Sequence, residues 1–317
     1  MDLISIIREK IDAIEDGDHT SGLKAVLVHI ETAAAHLHRG HDSADETAFT
    51  DAIYRTNQAF EGSLKEAYRV LAEKRPGKKK LSEIEKYLTD ENVFRNRVLS
   101  QLTNYRTEWR NPSTHDHELD FDSSEAFLAI VSVCAFANLL LDQIIEKLAH
   151  VRSKAATDAE HERLLSLFES HQKDFSLYVG HAIAEFMREY TPAHDGPRMR
   201  EAELLGALSG FLESIAPKSS ATPEYQLADR GHQSADIFLQ RNGDKLLIEL
   251  KGMRYSRQLL RSGLDQLDRY MDITGLTDGV LVLGTTLPNN VVSDVRTPKG
   301  RRVIVVGPKS IREITTG

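Results

Sequence analysis

The 317-residue chain carries 40 Lys and Arg against 48 Asp and Glu, a formal net charge of -8, with 40% hydrophobic and 28% charged residues. Those proportions belong to a globular protein with room for two cores, and they exclude a disordered or fibrous chain. The acidic balance gives no global attraction to nucleic acid, so such binding has to come from local basic faces, and the one cysteine, Cys134, excludes a disulfide scaffold and suits a reducing cytoplasm.

The start, MDLISIIREKIDAIEDG, holds acids and no sustained apolar core, so no secretory signal is expected. From residue 1 to about 150, apolar residues recur at helical spacing. This predicts helices near 2–15, 21–39, 47–74, 81–89, 91–110 and 123–149, an all-α helical bundle. KRPGKKK, 74–80, sets a Pro-Gly stop inside a basic run and is expected as a solvated loop, with a nucleic-acid patch as the other reading. The histidines of HLHRGHD (36–42) and HDH (115–117) have spacings a metal could use. No cysteine or acid stands at matching positions, so surface loops are expected. AFLAIVSVCAFANLLL, 126–141, is uncharged but shorter than the roughly 18 residues of a spanning helix. Ser132 and Asn138 interrupt it, and a buried bundle helix is expected rather than a membrane span.

YRTEWRNPSTHDH, 105–117, ends a helix at Arg110-Asn111 and sets His115 five residues on. Such a pair arises easily by chance in a chain this rich in arginine and histidine. Placed between an amphipathic helix and a buried one in an all-helical domain, it resembles the HEPN domains. Many of these are ribonucleases with an Arg-x4-6-His motif and a polar residue after the arginine. NQAFEGSLKEAYRVL, 57–71, looks like the preceding long helix of that fold and would bring Glu61 near the motif. The resemblance implies metal-independent RNA cleavage at a site formed between two protomers. His115 would move a proton for attack by a 2′-hydroxyl, Arg110 would stabilise phosphate charge, and Asn111 would contact nucleic acid. The other reading makes Arg110 and His115 helix-capping residues of a dimerisation module.

The polar stretch VRSKAATDAEHERL, 151–164, predicts a connector, with a long helix over about 158–190 that TPAHDGP, 191–197, breaks. RMREAELLGALSGFLESIA resumes helical spacing. After 225 come a strand, an Asn-Gly hairpin, a second strand, a helix over about 256–273, and the short apolar strands GVLVLGTT and RRVIVVG. That order predicts a three-layer α/β domain over 195–317.

HQSADIFLQRNGDKLLIELKG, 232–252, sets two alternating runs around Asn242-Gly243, the strongest short-range signal for a two-residue hairpin turn. Counting back from the turn puts Leu239 opposite Leu246, Ile237 opposite Ile248 and Asp236 opposite Glu249. Like charges facing each other across a ladder repel, so the pair needs compensation. Lys251 lies two residues past Glu249 and therefore on the same face. One reading is a hydrolytic site in which two carboxylates hold Mg2+ or Mn2+, the metal acidifies a water, and Lys251 orients the nucleophile or steadies charge on phosphorus. The other is an edge hairpin whose acids never meet a metal.

SADIFL followed by IELKG resembles the PD-(D/E)xK nuclease superfamily, whose domain is restriction-endonuclease-like. It departs from the name motif with Ser-Ala where proline would stand. The resemblance implies Asp236 and Glu249 as metal ligands and Lys251 as the catalytic lysine. On REAELLGALSGFLESI, Glu201 shares a face with Leu205, Leu208 and Leu212 and would add to the metal site, with Glu203 the less favoured choice. In SRQLLRSGLDQLDRYM, Gln266 precedes Tyr270 by one helical turn, as in many relatives where glutamine contacts the site. A plain polar helix face is the equal alternative. Arg254, Arg257 and Arg261 are suited to phosphate contacts.

Together these expectations describe a two-domain cytoplasmic nuclease: a HEPN-like bundle over 1–150, a helical connector over 151–194 and a nuclease domain over 195–317. It would dimerise through the bundle and serve prokaryotic defence, cutting DNA with magnesium and RNA without metal. Two alternatives stand beside it. One is a DNA nuclease whose bundle only dimerises or senses; the other is a regulatory nucleic-acid-binding protein in which neither site turns over.

Overall fold

A computed structural model describes residues 2–115, 120–168, 173–191, 197–216, 218–227, 233–251, 256–284 and 290–308. The chain divides into two compact units, Met1–Lys147 and Leu148–Gly317.

The first unit is helical: α1 (Leu3–Ala13), α2 (Thr20–Ser43), α3 (Thr47–Val70), α4 (Leu81–Asp90), α5 (Asn96–Tyr105), a π-helical turn (Arg106–Arg110), α6 (Asn111–His115) and most of α7 (Ser123–Ala159). Its core comes from the apolar stripes that the periodicity marks. Phe60 on α3 stacks on Tyr105 of α5 at 4.7 Å and meets Phe136 of α7 at 5.2 Å, and all three are fully buried. By length and hydropathy α7 could cross a membrane. However, Ala126, Ala129, Val133, Phe136, Leu140 and Ile144 on it are buried within the protein, as expected of a core helix.

The helix expected to end at Arg110-Asn111 instead runs on through His115. Pro112 explains the irregularity. It has no N–H to give and its ring crowds the carbonyl four residues back, and the wider π turn just before it takes up that mismatch.

The second unit is a six-stranded mixed sheet with helices on both faces. Its strands are β1 (Ser219–Gln226), β2 (Ser234–Arg241), β3 (Asp244–Lys251), β4 (Asp278–Leu283), β5 (Asn290–Arg296) and β6 (Arg302–Pro308), in the order β1-β2-β3-β4-β6-β5. β3, β4 and β6 are parallel; the other neighbours are antiparallel. The predicted register holds through Ile237 opposite Ile248 and Leu239 opposite Leu246. The turn has Asn242 at φ +49° and Gly243 at φ +102°, the two positive values a primed hairpin turn requires.

Alternation along the strands sends Ile237, Ile248, Val280 and Ile304 to one face, against α9 (Phe175–Glu189) and α10 (Pro197–Ile215). Leu247, Leu281, Val303 and Val305 turn to the other, against α11 (Arg257–Thr274).

Four expectations need correction. The histidines of HLHRGHD, expected on a surface loop, lie on α2, which runs to Ser43. The stretch 151–164 is helical as expected, in the tail of α7 and the start of α8 (His161–Phe168), but the connector of 151–194 is no separate part: it belongs to the second unit, which begins at Leu148. The long helix over about 158–190 is instead α8 and α9, and α9 packs on the sheet through Val179, Ala182 and Ile183. β1 and β5 had no apolar run to announce them, because an edge strand is exposed along one side and tolerates polar residues and Pro223.

Candidate active site at the end of the hairpin

The β2–β3 ladder stops at Ile237 opposite Ile248, one residue short of Asp236 and Glu249. Beyond that point a side chain replaces the backbone pairing: Asp236 Oδ2 accepts the N–H of Leu250 at 2.6 Å. This holds β3 next to β2 while removing the two carboxylates from a regular cross-strand pair.

Glu249 is only 2% exposed. Its Oε1 accepts from Lys251 Nζ at 2.7 Å and from Gln266 Nε2 at 2.6 Å, and Gln266 Nε2 is in turn 2.8 Å from the Tyr270 hydroxyl. The one-turn spacing of Gln266 and Tyr270 on α11 makes this contact possible. Gly263, one turn earlier, lets α11 come close to the sheet: a β-carbon there would lie 2.8 Å from Leu281 Cδ1 and 3.4 Å from Lys251 Cγ. Ser256 caps the helix by accepting the Leu259 N–H at 3.1 Å, and Gly275, at φ +71°, ends it.

Glu249 Oε2 is buried and has no hydrogen-bond partner among the described residues. Burial, and then the charge of Asp236, pushes the Glu249 pKa up to about 7 against the pull of Lys251. Burial also raises Asp236, opposed by the Leu250 amide and Lys251 and reinforced by the charges of Glu201 and Glu224. A half-buried and a buried carboxylate, the latter with an orphaned oxygen, suit a hard divalent cation, which takes oxygen ligands and keeps several waters.

The expected metal set of Asp236, Glu249 and Glu201 is not gathered in one place. Among the described residues no three His, Cys, Asp or Glu side chains form a metal-binding group. Glu201 stands exposed at the start of α10, near enough for its charge to reach Asp236. Glu203 is buried and held by Arg152 at 2.8 Å. Arg257 and Arg261 are exposed one turn apart on α11, while Arg254 lies outside the described residues.

Glu224 escaped the sequence reading. It sits on β1 between the pairs Pro223–Ile237 and Tyr225–Ala235, which puts it alongside Asp236, with φ at +46°. Only recognition of β1 could have pointed to it.

In the first unit the motif segment is tied to α3 by a buried network. The Tyr105 hydroxyl lies 2.7 Å from Thr56 Oγ1 and 2.9 Å from Asn57 Oδ1, Asn57 Nδ2 donates to Ser113 Oγ at 2.8 Å, and Ser113 donates to the Trp109 carbonyl at 2.7 Å. Asn57, Glu61, Ser113 and Thr114 line one open groove, so Glu61 does lie beside the motif. Arg110 is half-buried and donates to Asn111 Oδ1 at 3.2 Å; the His115 side chain lies outside the described residues.

No protein-family model, curated protein or solved structure matches the chain.

Proposed function

We propose that the second unit is a metal-dependent nuclease of the PD-(D/E)xK type that hydrolyses DNA phosphodiesters. One observation carries the reading: Glu249 has one oxygen fixed by Lys251 and Gln266 and the other buried without a partner, beside Asp236. Asp236 and Glu249 would hold Mg2+ or Mn2+. When bound, the cation supplies Lewis-acid polarisation of the phosphate and an acidified water.

The rest falls to the chain's own side chains. Gln266 fixes the Glu249 carboxylate in orientation, and the Lys251 ammonium, already at that carboxylate, steadies negative charge that develops on the phosphate. Glu201 and Glu224 place further carboxylates at the edge of the site. Arg257 and Arg261 present guanidinium groups suited to the strand backbone. Purified protein incubated with duplex DNA, in magnesium and in chelator, tests this. Cleavage in magnesium that Asp236→Ala, Glu249→Ala and Lys251→Ala each abolish is expected; cleavage that persists in chelator would overturn it.

A second activity is favoured by the first unit's geometry. The buried Asn57–Ser113 contact holds the Arg110–His115 segment against a groove that also contains Glu61, which supports HEPN-like, metal-independent RNA cleavage in a homodimer. RNA cleavage in chelator that leaves a cyclic phosphate at the 3′ end is the test. The pairing of the two activities suits a cytoplasmic enzyme directed at foreign nucleic acid.

A further inference from the structure

The loop between α3 and α4 has no role in either site. Lys74, Arg75, Lys78, Lys79 and Lys80 stand within seven residues, all exposed, on a chain whose acids outnumber its bases. Among the described residues, Arg75, Lys78, Lys79 and Lys80 have no ion-pair partner, and the two acids that flank the loop in sequence are held by other groups. Glu73 pairs with Lys147 at 2.6 Å, and Glu83 accepts the backbone N–H of Lys80 at 2.8 Å rather than an ammonium. The loop is also shaped. Gly77 turns it at φ +50°, the Lys79 N–H donates to the Pro76 carbonyl at 3.0 Å, and Lys74 rides over the Tyr87 ring at 4.0 Å. Holding three consecutive ammonium groups together, none of them ion-paired among the described residues, carries a repulsion that a polyanion would relieve.

We propose that this loop is a docking surface for the phosphate backbone of a nucleic-acid strand. The choice of polyanion rests on the nuclease reading. Phosphates follow one another about 3.4 Å apart along each strand axis, a spacing that adjacent lysines on a turn can meet. Contacts of this kind bind every sequence alike and release counterions, so they register as salt dependence.

The test uses the full chain carrying Asp236→Asn, in chelator, so that binding is read without metal-dependent cleavage. Binding of a fluorescent DNA duplex and of a single-stranded RNA made uncleavable by 2′-O-methyl groups is measured across a salt series. Lys78→Gln/Lys79→Gln/Lys80→Gln is expected to make the slope of log K against log salt about two to three units less negative. The control Lys24→Gln/Lys218→Gln/Lys245→Gln, equal in charge, is expected to leave the slope unchanged. An unchanged slope in the loop variant, or an equal change in the control, overturns the proposal. So does a loss confined to anionic phospholipid vesicles or polyglutamate. Wild-type DNA cleavage in magnesium is scored separately, so a dead nuclease with a binding loop and a live nuclease with an inert loop give different results.

Discussion

Asp236 and Glu249 are adjacent carboxylates kept out of ladder pairing, because Asp236 spends its Oδ2 on the amide of Leu250, the residue after Glu249. The two substitutions of Asp236 should therefore part company. Asp236→Asn keeps an acceptor for Leu250 and removes the repulsion, so in chelator its melting temperature should rise by about 2–4 °C. Asp236→Ala leaves the Leu250 amide unanswered and should lose about 1 kcal/mol. Both should end cleavage. A lower melting temperature for the asparagine variant would count against the repulsion.

Stability without metal should fall with rising pH. The folded chain raises the Glu249 pKa from 4.5 to about 7, so the group's contribution is complete below 4.5 and is lost as the pH climbs through 7. The full swing is about 3 kcal/mol at most. Melting curves in chelator from pH 4.5 to 8 should show the decline in wild type and a smaller one in Glu249→Gln, where Asp236 alone keeps a raised pKa. A wild-type protein that gained on the variant over that range would overturn the assignment.

Glu213 should behave in the opposite sense. Burial would raise its pKa, but hydrogen bonds from His150, the Ala221 amide and Lys154 outweigh that and hold it at about 2. Its contribution is present above 4.5 and disappears as the pH falls toward 2. Glu213→Gln should cost about 2–3 kcal/mol at pH 7 and almost nothing at pH 2. Equal losses at both would show that packing, not charge, is at stake.

Gln266 touches Glu249, so under the proposed nuclease activity it would be a positioning residue. Gln266→Ala should lower magnesium-dependent cleavage about 10- to 100-fold, as the loss of a group that orients a metal ligand does. Gln266→Glu adds a third acid beside Glu249 and should raise the magnesium concentration needed for half-maximal rate. Unchanged kinetics in both variants would return Gln266 to the plain helix face.

The two proposed activities should separate. His115→Ala should remove RNA cleavage in chelator and leave DNA cleavage in magnesium intact. Ser113→Ala breaks the link between α6 and Asn57 and should cost about 1 kcal/mol while weakening RNA cleavage. A dimer that cuts DNA but cuts no RNA in chelator would leave the bundle as a scaffold.

The sequence by itself determined whatever follows from local periodicity and turn chemistry. Asn242-Gly243 dictated the hairpin and its register, and alternation then put Glu249 and Lys251 on one face and paired Ile237 with Ile248. Helical spacing marked α1 to α5, α7 and α11, and the sequence left Gln266 evenly placed between the site and a plain polar helix face, which the packed structure decides by setting its amide on Glu249. Tertiary structure alone decided the rest. β1 and β5 exist because neighbouring strands offer them hydrogen bonds, not because their residues demand it, so Glu224 was invisible until β1 was laid beside β2. Whether α9 joined the sheet depended on an apolar face finding a partner far along the chain. The orphaned oxygen of Glu249, and the ladder's stop just before it, arise from burial and competition for amides. These are properties of the packed state, which no local run of residues encodes.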